Sequence, residues 1–146
     1  MRKEPETKLS TRKRVRNGLW LAVGWMSASL LPAAAGEVHV EKVRFAGGAS
    51  GVWTVYATLR HGDTGWDHYA DAWRVVDAEG RELGVRTLYH PHVDEQPFTR
   101  SLGGVRIPPD IRTVFVEARD KIHGWSDDRV EVHLDKASGP RFTVTR

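Results

Sequence analysis

The chain has 146 residues, with 22 Lys and Arg against 19 Asp and Glu, seven His and no Cys. That length holds one domain rather than several. The missing cysteines exclude disulfides, thiolate metal sites and thiol nucleophiles.

The first segment reads as an export signal. Residues 1–17 carry seven of the basic residues (Arg2, Lys3, Lys8, Arg12, Lys13, Arg14 and Arg16) against Glu4 and Glu6. An apolar run over 18–31 follows, broken by Gly24, Ser27 and Ser29, shorter than the roughly 20 residues of a membrane span. Pro32 and then Ala33-Ala34-Ala35 supply a small-residue cleavage site. The pattern predicts a signal peptide over 1–35, cut after Ala35, with an uncleaved anchor as the alternative. No Arg-Arg pair precedes the run, so twin-arginine export is not supported.

Removing that segment reverses the charge. Seven of 22 basic and two of 19 acidic residues leave with it, so 15 face 17 and the net charge is −2 with His neutral. The basic balance belongs to export, and no cationic face remains to release counterions from nucleic acid. Met1 and Met26 leave as well, so the mature protein contains no sulfur. Any metal must then accept imidazole and carboxylate, as zinc, copper(II), nickel and calcium do. The expected location is the periplasm or the exterior, with no stable membrane span after cleavage.

From residue 36 the chain reads as β. Residues 37–45 open it, with a phase change between Val40 and Val43 that predicts a bulge. Residues 52–60 alternate, Trp53, Val55, Ala57 and Leu59 on one face and Thr54, Tyr56, Thr58 and Arg60 on the other. Residues 72–76 offer Trp73 and Val75 to a core. Asp77-Ala78-Glu79-Gly80 makes a hairpin turn, and 82–89 return. Residues 98–107 follow, interrupted by Gly103-Gly104 and stopped by Pro108-Pro109. Residues 113–119 and 129–134 complete the set, and no segment holds a helical period. Seven short strands predict a single immunoglobulin- or fibronectin-like β-sandwich over 36–134, with a jelly roll or small barrel as runner-up. Residues 135–146 are either a tail or a short edge strand.

Three segments interrupt the strand pattern and hold most of the His, Trp and acid: HGDTGWDHYAD (61–71), HPHVDEQPF (90–98) and DKIHGWSDD (120–128). In a sandwich of this connectivity all three fall at one pole, where loops on a rigid sheet carry binding chemistry. The candidate metal ligands are His90, His92, His61, His68 and His123. His90-Pro91-His92 leads, because extended residues i and i+2 point the same way and the proline keeps His90 extended. A third ligand from His61, His68 or His123 would leave the site open to water. Gly65-Trp66 and Gly124-Trp125 echo one another, and indoles beside acids suit a sugar ring. The candidate ligand-binding residues are therefore Trp66, Asp67, Tyr69, Asp94, Glu95, Asp120 and Trp125. Asp63, Asp67 and Asp71 recur at a spacing of four without an EF-hand pattern, and so are expected to cap turns. His39 and His133 alternate with core residues and are expected to face solvent.

Enzymatic chemistry is not the expected reading. Ser126 lies in a loop without a nucleophile elbow, and Ser50, Ser101 and Ser138 have no base in view. A carboxylate pair from Asp67, Asp94, Glu95 or Asp120 is conceivable, as in almost any acidic loop cluster.

The runs GWDHYADAWRVVDAEGRELGVRTLYHPHVDEQPFTRSLGGVRIP and EARDKIHGWSDD resemble a family of small exported bacterial proteins built around GWDHYAD, HPHxxEQPFTRSL and VHG segments. Ile122 stands here where that family has Val. The resemblance implies an exported, periplasmic domain and brings no activity, ligand or catalytic residue.

Two functions of different kinds follow. One is a periplasmic binding module whose end loops hold a divalent metal, zinc or copper(II). The other is a module for a carbohydrate, peptide or protein partner, using Trp66, Tyr69 and Trp125 while the histidines are structural. A third reading takes the polar loops as bonding one another and fixing the fold. Whether residues 96–100 belong to the site or the core stays open, and Arg100 is a candidate partner for a loop acid.

Overall fold

A computed structural model describes residues 36–146, and the expected signal peptide lies outside the described residues. All seven expected strands are present: β1 His39–Gly47, β2 Val52–Arg60, β3 Ala70–Val76, β4 Glu82–Thr87, β5 Phe98–Arg106, β6 Thr113–Asp120 and β8 Val130–His133. Three short strands add to them: β7 Gly124–Trp125, β9 Ser138–Gly139 and β10 Phe142–Thr145.

The strands form an all-β sandwich. One sheet runs β5-β2-β1-β10-β9, and the other runs β4-β3-β6, with β8 and then β7 following one another along the free edge of β6. The alternation in β2 buries Trp53, Val55, Ala57 and Leu59. From the facing sheet, Trp73 and Val75 of β3 and Val114, Val116 and Ala118 of β6 meet them in one continuous core. Trp73 is wholly excluded from solvent. Burial of this apolar area is the main force holding the sheets together.

The phase change in β1 is a bulge, with the register against β2 slipping between Val40 and Lys42. It keeps both Val40 and Val43 buried, as an extra residue in one strand must. The Gly103-Gly104 interruption is the matching irregularity in β5, where the register against β2 slips between Trp53 and Val55. Asp77 holds the β3–β4 hairpin, its carboxylate accepting the N–H groups of Glu79 and Arg81 and the Arg81 guanidinium, while Gly80 supplies φ +80.

Residues 138–145 belong to the sandwich. β10 pairs in parallel with β1, from Val43↔Phe142 to Ala46↔Thr145, and Phe142 is buried in the core. Arg141 makes the turn into β10 at φ 62, and its guanidinium donates to the Val40 and Arg129 carbonyls and to Asp128.

Candidate functional site

Strand direction sets the pole. β2 ends at Arg60, β3 starts at Ala70, the β4–β5 crossover spans 88–97, and β6 ends at Asp120. The three polar segments are tied together there by hydrogen bonds. Asp63 receives the Ala70 and His92 N–H groups at 3.0 and 2.6 Å. Gln96 accepts from the His61 N–H and donates to the His92 carbonyl, both at 3.0 Å. Lys121 donates its N–H to the Tyr69 carbonyl and its ammonium to the Trp66 carbonyl.

Within this frame His61, His68 and Asp120 converge, each offering one ligand atom, all within 4.8 Å of one another. The local fold explains why. The Thr64 N–H donates to the His68 carbonyl and the His68 N–H to the Gly65 carbonyl, a turn that folds the His68 ring back onto His61, with centroids 4.8 Å apart. His61 follows β2 inward and is fully buried, with Nδ1 2.6 Å from Asp63 Oδ1. Asp120 ends β6 with its side chain fully buried, Oδ2 3.8 Å from His61 Nε2 and Oδ1 3.4 Å from His68 Nε2.

Among the described residues neither Nε2 has a hydrogen-bond partner, although both atoms are sealed from solvent. Two unpaired imidazole nitrogens beside a carboxylate are costly as pure structure, since a buried polar group without a partner loses about 1–3 kcal/mol. In a tetrahedral site with bonds of about 2.1 Å, neighbouring donors stand roughly 3.4 Å apart. The 3.4 and 3.8 Å contacts are already close to that.

The electrostatics suit a cation. Burial alone would raise the Asp120 pKa, but the N–H groups of His123 and Ile122 and the His123 ring outweigh it and hold the carboxyl below its ordinary value. Asp63 behaves alike: burial pushes up, while His61 and the His92 and Ala70 N–H groups pull further down. His123, partly exposed, sits with Nδ1 3.0 Å from Asp120 Oδ2 and its ring 5.2 Å from that of His68. It lies on the solvent side of the cluster.

His90 and His92 are placed differently. The His92 ring is buried, stacked on Phe98 at 3.8 Å and 8°, with the exposed His90 ring 4.6 Å away. Among the described residues neither His92 nitrogen has a partner. Burial, with the nearby Arg100 and His90 charges, lowers its pKa and keeps the ring neutral. The two imidazoles are tilted by 38° to one another, and neither belongs to the His61, His68 and Asp120 group.

The remaining candidates scatter. Trp66 is 64% exposed and meets Tyr69 edge-on, Tyr69 itself being nearly buried. Asp67 and Asp94 are exposed. Glu95 is held by a two-pronged Arg100 contact that lowers its pKa, so Arg100 does pair with a loop acid. Trp125 leaves the group altogether. Its ring lies under Arg74 at 3.9 Å and beside Arg119, on the same sheet face as the Arg74–Glu117 and Arg119–Asp71 ion pairs. Trp66 borders a shallow groove of about 550 Å³ with His90, Val93, Asp94 and Glu95.

Residues 96–100 divide between roles: Gln96 belongs to the pole, Phe98 to the core and Arg100 to the rim. Sequence reasoning left Gln96 open between site and core and read Asp63 as a turn cap. The available signal was His61-x-Asp63, a carboxylate two residues from an imidazole at a strand end.

No family model matches the chain, and no solved structure matches it. A protein of Halomicrobium mukohataei named "Putative lipoprotein" is 39% identical over 81 residues, which cover 56% of this chain and 39% of that protein. The chain thus spans about two fifths of the length of the curated relative it matches. No helix among the described residues is long and apolar enough to cross a membrane.

Proposed function

We propose that this protein is an exported β-sandwich module, of immunoglobulin- or fibronectin-like strand order, that holds a divalent metal at one pole through His61, His68 and Asp120. The observation that carries the reading is the pair of buried, unpartnered imidazole nitrogens facing one buried carboxylate. Two nitrogens and one oxygen favour zinc or copper(II), and nickel next. Three protein donors leave a position for solvent or for an exchangeable ligand, and the partly exposed His123 flanks it.

The charge pattern and apolar run before residue 36 support export, as does the name of the relative. We place the chain with the small exported bacterial proteins that carry GWDHYAD and HPHxxEQPFTRSL segments, periplasmic or secreted. Having no cysteine, the chain offers no thiol for a lipid.

The test is thermal unfolding of the protein in EDTA, then with zinc, copper(II), nickel or calcium added singly. A metal at a hundred times its dissociation constant adds about 2.7 kcal/mol, several degrees for a domain of this size. A rise with zinc or copper(II) that His61→Ala removes supports the reading. Indifference to every metal sinks it.

A further inference from the structure

We infer that Asp63 is a positioning residue for this metal centre, holding His61 in the one neutral tautomer that can ligate through Nε2. The inference rests on the metal reading above.

His61 lies between two buried carboxylates that compete for its ring proton. Asp120 Oδ2 is 3.8 Å from Nε2, and Asp63 Oδ1 is 2.6 Å from Nδ1. Were Asp120 alone present, a proton on Nε2 would be drawn towards it, and the lone pair needed for a metal bond would be lost. Asp63 wins by more than an ångström, and it is fixed where it stands. Its Oδ1 also receives the Ala70 N–H at 3.0 Å and its Oδ2 the His92 N–H at 2.6 Å. Two backbone N–H groups, one on each oxygen, favour the ionised carboxylate, which can only accept. An acceptor at Nδ1 requires the proton there, and in a neutral imidazole the lone pair is then on Nε2. That atom is the sealed, unpartnered one beside Asp120 and His68. Carboxylates that hold ligand histidines in this way also raise ligand basicity, and losing one costs 10- to 100-fold in metal affinity.

The same bonds give the HPHVDEQPF segment a role without making it a ligand. The His92 N–H holds Asp63, and Gln96 clamps both the His61 N–H and the His92 carbonyl.

Nitrogen NMR of the imidazoles in the metal-free protein at neutral pH reads the tautomer directly, and zinc competition against a chromophoric chelator reads affinity. The expected result is a protonated Nδ1 and bare Nε2 on His61, with zinc bound 10- to 100-fold more weakly by Asp63→Asn. A proton on Nε2, alone or together with Nδ1, overturns the inference, and this spectrum needs no variant should Asp63→Asn fail to fold. Equal affinity in both proteins overturns it too and leaves the metal reading standing. No zinc uptake by the wild type overturns the metal reading and this inference with it.

Discussion

His61 Nε2 and Asp120 Oδ2 stand 3.8 Å apart, both side chains wholly buried, and no hydrogen bond joins them. A contact of that length between sealed polar atoms is a gap that a cation would close.

The first expectation separates ligands from neighbours. His61→Ala, His68→Ala and Asp120→Asn should each abolish the rise in melting temperature given by zinc, while His90→Ala should keep it. Asp120→Ala should also cost about 1–3 kcal/mol without metal, since the Ile122 and His123 N–H groups lose their acceptor. Calorimetry with and without zinc distinguishes the two effects.

His92 makes the fold sensitive to mild acid. Its folded pKa is depressed, so as pH falls below roughly 6.5 the unfolded chain takes a proton that the native ring refuses, and stability drops. His92→Phe should flatten stability as pH falls below about 6.5 and gain about 1 kcal/mol at pH 7 by removing a buried unpaired group from the Phe98 stack. Asp63 and Asp120 act lower: their depressed pKa values contribute stability above roughly pH 4 that is lost as pH falls through the folded values. Urea denaturation across pH 3–8 measures both windows.

Gly48 lies at φ +89 with Trp53 beside it, and a Cβ there would stand 2.2 Å from the indole. Gly48→Ala should destabilise by about 1–3 kcal/mol, through overpacking and an unfavourable backbone together. Urea midpoints and near-ultraviolet circular dichroism of Trp53 report the change.

Arg141 adopts φ 62 and spends its guanidinium on Val40, Asp128 and Arg129. Arg141→Ala should cost about 1–3 kcal/mol, and Arg141→Gly should cost less by roughly 0.5–1 kcal/mol because glycine accepts that backbone. The order of the two melting temperatures is the check.

Strand alternation made most of the fold legible. Trp53 to Leu59 and Val114 to Ala118 reveal their buried faces by period, and the Val40 to Val43 phase change reveals the bulge. β10 was not resolved as strand or tail, because Phe142 and Val144 give one short alternation and its partner lies a hundred residues earlier. The gathering of three loops at one pole followed from connectivity alone. Which histidines meet there did not, because loop residues carry no period to say which way they face. His90-Pro91-His92 looks like a chelate in sequence, yet Phe98 captures the second ring by stacking, an apolar contact that the triplet does not announce. His68 comes inward through the turn at Gly65. Asp63 looked like a capping residue, and it does accept the Ala70 N–H, but the His92 N–H from another loop gives it a second function.

The parallel pairing of β1 with β10 also sets how the domain bears tension. Pulled from residues 38 and 146, the two strands are drawn in opposite directions along their shared ladder, so the bonds from Val43↔Phe142 to Ala46↔Thr145 are loaded together in shear. Arg141, bonded to Val40 and Asp128, adds a bolt across the same seam. An anchor at one end and a cargo at the other would therefore meet a mechanical clamp, whose yielding is governed by the rate of unfolding rather than by equilibrium stability.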